Sequence, residues 1–157
     1  MYYIKNDMLK LSKMTDYAAL ILARMQAEKG NSETGGSPVS VASLAATTHL
    51  SEPTVSKILK LLTQGDMVRS VRGPQGGYIL DTSLDDISVA DLIQTIDGPI
   101  AMTSCVDHDE AGCCALEGNC TIRGGWNELN QEMIGVLGAF SVNRLLQTSM
   151  KQTKEAV

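Results

Sequence analysis

The sequence predicts a mainly α-helical fold with one small β-hairpin and a long helix near its C-terminal end. Three observations carry this expectation. Apolar residues recur at helical spacing in three stretches before residue 65 and again after residue 120. Two short runs of β-branched or aromatic residues flank a single glycine-rich turn at 72–77. The 157-residue chain holds one Phe and one Trp, so its core must be built from Leu, Ile, Val, Ala and Met.

Met14, Tyr17, Ala18, Ile21 and Met25 predict an amphipathic helix over 12–29. Residues 30–38 (GNSETGGSP) have the composition of a loop. Ser40 can cap a short helix with Val41, Leu44 and Ala45 on its inner face, and Thr47, Thr48 and His49 break that pattern. Ser51 can cap a second helix. Pro53 is tolerated in its first turn, where the missing N–H has no intrahelical partner. Val55, Ile58, Leu59 and Leu62 form its buried stripe, and Gly65 ends it. The runs 67–71 and 78–80 then predict a hairpin around Arg72-Gly73-Pro74-Gln75-Gly76-Gly77. Helix, turn, helix, hairpin is the order of a winged helix-turn-helix, which we place at 9–82.

A connecting helix capped by Ser88 and ending at Gly98-Pro99 fills 83–100. Residues 101–120 show little periodicity and hold all four cysteines. Over 121–150, Ile122, Trp126, Leu129, Met133, Val136 and Phe140 recur at alternating spacings of four and three, a heptad-like seam on one long helix. Such a helix, following a loop and with a small domain to cover it, is expected to make a homodimer. Gly135 and Gly138 weaken it intrinsically but let a partner approach closely.

The buried stripe of the 51–64 helix leaves Pro53, Thr54, Ser56, Lys57 and Lys60 facing outward. The N-terminal part of a recognition helix reaches base edges in the major groove of duplex DNA. Thr54, Ser56 and Lys57 are therefore candidate base readers, and Lys60 a phosphate contact. Arg72 and Gly73 stand at the hairpin tip, where an Arg can enter a minor groove and Gly lets the backbone approach the sugar-phosphate wall. Solvated charges on any surface helix would look alike in isolation; the basic, glycine-rich hairpin that follows favours operator DNA.

A net charge of −5 argues against a nucleic-acid partner until its distribution is read. Residues 1–80 carry nine Lys/Arg against six Asp/Glu, whereas 81–157 carry four against twelve. Only the first half suits phosphates. No apolar stretch approaches the roughly 18 residues of a membrane span. Residues 1–13 lack the apolar run of a signal peptide. A cytoplasmic chain without membrane contact is expected.

The cysteines read Cys105-x7-Cys113-Cys114-x5-Cys120. Structural zinc usually uses closely spaced pairs, and adjacent cysteines seldom bind the same ion. Three working thiolates are expected: Cys105, one of Cys113 and Cys114, and Cys120. Three thiolates on an acidic loop suit an iron–sulfur cluster, with a fourth ligand from elsewhere. Free or disulfide-forming thiols without metal are the alternative, and His108 reads as a surface residue.

The strings 11–18 (LSKMTDYA) and 70–80 (SVRGPQGGYIL), with the three-cysteine loop followed by Trp126, resemble the IscR-type regulators. These are dimeric winged-helix transcription factors that bind iron–sulfur clusters. The resemblance spans roughly residues 9–150. The Gly98-Pro99-Ile100 turn and the 114–126 stretch resemble the subgroup that regulates SUF cluster-assembly operons. It implies Cys105, Cys114 and Cys120 as ligands, with Cys113 as alternate, and a 2Fe-2S cluster in preference to 4Fe-4S. Arg123 stands where a ligand His lies in IscR-type chains, so the fourth ligand is not carried over. Nitric-oxide-sensing relatives take an Asp from the partner's first helix, and Asp16 matches that position; a plain helix-surface carboxylate is the equal alternative. A thiol- or zinc-based redox-sensing regulator on the same scaffold, and a small electron carrier, are the competing functions. No catalytic set is visible, and no enzyme is expected.

Overall fold

The structure, a computed structural model, describes residues 11–29, 37–103, 106 and 119–155, without the side chains of 123 and 149–155. Its elements are α1 (Lys13–Lys29), α2 (Val41–Thr48), α3 (Glu52–Gln64), β1 (Arg69–Val71), β2 (Gly77–Ile79), α4 (Val89–Asp97), α5 (Arg123–Gly138) and α6 (Val142–Glu155). Helices α1 to α4 pack on one another around a single apolar core. Ile21, Leu22, Leu44, Val55, Ile58, Leu59 and Leu62 lie fully inside it. Each such side chain contributes about 1.5–3 kcal/mol relative to exposure.

The helix ends follow the expected chemistry. Ser40, Ser51 and Ser88 each adopt extended backbone and accept a hydrogen bond from the N–H three residues on. At Ser88 the box is reciprocal, because the Asp91 carboxylate accepts from the Ser88 N–H in return. His49 (φ 57) closes α2 in the left-handed region and turns the chain into α3.

The strands are shorter and slightly displaced from the expected runs. Met67 and Val68 are not paired; both donate their N–H to the Leu62 carbonyl and bury their side chains in the core. The tight exit from α3 therefore consumes two residues of the apolar run. β1 and β2 pair antiparallel with Arg69 opposite Ile79 and Val71 opposite Gly77. Val39 adds a bridge to the outer side of β2, exchanging both backbone hydrogen bonds with Tyr78 at 2.9 Å.

The single helix expected over 121–150 is two. The break at 139–141 has a physical cause. Gly135 and Gly138 weaken the end of α5, and the backbone at the break bonds to residues 84–89 instead of continuing the spiral. Val89 N–H donates to the Phe140 carbonyl, Val142 N–H to Ile87 and Asn143 N–H to Leu84, all within 3.0 Å. The Ser141 hydroxyl accepts from Arg144 N–H and starts α6. Val142 is fully buried in the main core.

Candidate nucleic-acid interface and cysteine loop

Helix α3 divides into two faces. Val55, Ile58, Leu59 and Leu62 recur at i, i+3, i+4 and i+7 and are all buried. Pro53, Ser56, Lys57 and Lys60 recur at the same spacing on the opposite face and are all exposed. Four of the expected contact residues thus form one stripe. Thr54 departs from it: it is half-buried, and its hydroxyl lies 2.8 Å from Ser51 Oγ at the helix start. It serves the cap first.

The wing exposes Arg72 and Gly73 to solvent beyond the end of β1. Gly73 (φ 123) opens a turn closed by the Gly76 N–H on its carbonyl at 2.9 Å. Gly77 is required by close approach, since a Cβ there would stand 2.5 Å from the Val39 carbonyl oxygen. Arg69, at the wing base, is committed: its guanidinium bonds Asp81 at 2.6 Å, and that partner raises its pKa.

Of the cysteines, Cys105, Cys113 and Cys114 lie outside the described residues, as does His108. Cys120 is described and half-buried, and has no disulfide partner among the described residues. It sits just before α5, whose N-cap Ile122 supplies no side-chain hydrogen bond to the first turn. Among the described residues no three ligating side chains converge. Asp16 is exposed in the first turn of α1.

Two polar residues that the sequence reading passed over frame this loop. Asn130 on α5 is 3% exposed. Its Nδ2 donates to the Ile100 carbonyl and its Oδ1 accepts from the Met102 N–H, each at 3.0 Å. Asp97, the last residue of α4, accepts from the hydroxyls of Ser12 at 2.5 Å and Thr15 at 2.7 Å. The available signal for Asn130 was a polar residue four positions from both Trp126 and Ile134. The seam itself is open: Ile122, Leu129 and Val136 are 60%, 44% and 69% exposed.

The profile of the Rrf2 family, described as an iron-dependent transcriptional regulator, matches residues 11–148. The chain is 29% identical over 102 residues to the transcriptional regulator CymR of Bacillus subtilis, covering 65% of this chain and 70% of that one. It is 29% identical over 116 residues to the transcriptional regulator IscR of Klebsiella pneumoniae, covering 74% and 68%. The structure of CymR, the global cysteine regulator of B. subtilis, aligns with a TM-score of 0.65 at 27% identity, over 90% of this chain and 98% of that one. T. potens IscR aligns with a TM-score of 0.60 at 25% identity, over 89% and 88%. The resemblance to IscR-type regulators is thereby borne out, as is the mainly helical fold with one hairpin. Its relatives are regulators, not enzymes, and among the described residues no helix is long and apolar enough to cross a membrane. The chain belongs to the Rrf2 family of DNA-binding winged-helix transcription regulators.

Proposed function

We propose that this regulator senses an iron–sulfur cluster and controls cluster-assembly genes of the SUF type from the cytoplasm. Two copies meet through the exposed seam of α5 and bind double-stranded operator DNA with paired α3 helices and wings. Ser56 and Lys57 read bases; Lys60, Arg72 and Gly73 contact the backbone and minor groove; Pro53 and Thr54 shape the start of α3. Cys105, Cys114 and Cys120 hold the cluster, with Cys113 as alternate and Asp16 of the partner subunit as fourth ligand. A 2Fe-2S cluster is preferred to 4Fe-4S.

The observation that carries this reading is Cys120, half-buried, without a disulfide partner among the described residues, and three residues before the helix that bears the dimer seam. When bound, the cluster supplies a centre sensitive to iron, oxygen and redox state. Half-burial of Cys120 excludes part of the solvent from its thiol.

Anaerobic purification followed by iron and acid-labile sulfide analysis tests the reading. Two irons and two sulfides per chain are expected, falling several-fold in Cys120→Ala. The likeness to CymR favours a second reading, a thiol sensor on the same scaffold. Under that reading, iron is absent from anaerobic protein and operator binding changes on thiol oxidation alone.

A further inference from the structure

We infer that Asn130 is the positioning residue that couples the cysteine loop to the DNA-binding domain. The inference rests on the reading of that loop as the sensor. The described flanks of the loop both lie at α5. Cys120 lies three residues before the helix, and Asn130, seven residues past Arg123, grips the backbone of Ile100 and Met102. At 1.5 Å per residue, Asn130 lies roughly 10 Å along α5 from its first residue. A group held through Cys120 therefore acts on α5.

From Asn130 the connection continues into the winged helix through a very short strut. Only Gly98 and Pro99 separate Ile100 from Asp97. Gly98 (φ 91) sets a bend that other residues rarely adopt, and Pro99 fixes its own φ. Two such residues have little slack. Asp97 holds Ser12 and Thr15 at the start of α1, and Thr15 is buried. The far end of α5 is pinned separately by Val89 to Phe140 and Ile87 to Val142. A shift of the N-terminal half of α5 thus pivots on that pin and passes through Asn130, the strut and Asp97 to α1. Helix α1 packs directly on α3, which carries the reading face.

Coupling of this kind is reciprocal: if the loop alters DNA affinity, DNA must alter the loop. The test uses full-length wild type, Asn130→Ala and the near-isosteric Thr15→Val, with a duplex that the wild type selects from a random pool. The readout is the alkylation rate of the cysteines in cluster-free protein, with and without that duplex. In wild type, DNA is expected to change the rate by about 5-fold or more, the lower end of ordinary allosteric coupling. In both variants the change is expected to fall below ~2-fold while duplex affinity stays within a few-fold of wild type. A DNA effect of wild-type size in Asn130→Ala, or in Thr15→Val should the first variant misfold, overturns the inference, as does a wild type whose thiols ignore DNA. Failure of wild type to select any duplex contradicts the functional reading instead.

Discussion

Thr15 in α1 donates its hydroxyl proton to Asp97 at the end of α4, 82 residues away, at 2.7 Å. With the matching bond from Ser12, this carboxylate ties the first helix to the segment that enters the cysteine loop. Asp97 itself is exposed and Thr15 is buried. Asp97→Ala therefore leaves a buried hydroxyl without its acceptor and is expected to cost about 1–2 kcal/mol. Urea unfolding checks this, with a lower midpoint at unchanged slope.

On the reading face, Lys57 and Lys60 are separable. Lys57→Ala is expected to weaken binding to the preferred duplex by about 10- to 100-fold and to relax base preference at one position, as loss of a base contact does. Lys60→Ala is expected to weaken binding to all duplexes alike and to lower the slope of log affinity against log salt by about 1. Titrations at several salt concentrations, on preferred and scrambled duplexes, distinguish the two. Equal effects on both duplexes for Lys57→Ala would remove it from base recognition.

Gly77→Ala tests the wing. The added Cβ meets the Val39 carbonyl at 2.5 Å, so the Val39–Tyr78 bridge must open. A loss of about 2–3 kcal/mol is expected from overpacking together with two strained backbone bonds. Proteolysis within the wing should accelerate in parallel.

Asp66 offers a gain. It follows Gly65 at the end of α3 with φ 56, its N–H on Thr63 and the next N–H on Leu62, the pattern in which glycine is favoured. Asp66→Gly is expected to raise stability by up to about 1 kcal/mol. A calorimetric scan showing a lower Tm would mean that the Asp66 side chain contributes more than its backbone strain removes.

Local chemistry made much of this molecule legible beforehand. Ser40, Ser51 and Ser88 cap as expected because a cap needs only its own next three residues. The buried stripe of α3 follows from its spacing alone. What escaped notice depended on partners distant in sequence. Asn130 and Asp97 are ordinary polar residues until Ile100, Met102, Ser12 and Thr15 come to meet them. The long C-terminal helix divides for the same reason: its seam is periodic through Phe140, yet the backbone there bonds to 84–89, which no helical pattern reveals. Thr54 is expected to face outward beside Ser56 and Lys57; it is half-buried, with its hydroxyl 2.8 Å from Ser51 Oγ, a contact its outward position on a helical wheel does not reveal.

The central claim is that the cysteine loop reports a cluster to the α3 reading face. Its most direct test is operator affinity measured anaerobically on one duplex for cluster-loaded and cluster-free wild type, beside Cys120→Ala. The account predicts about a 5-fold or larger difference between the two wild-type forms, with Cys120→Ala fixed at the cluster-free value whatever iron and sulfide are supplied. Equal affinity of the two wild-type forms, or a Cys120→Ala protein that still responds to iron and sulfide, would contradict it.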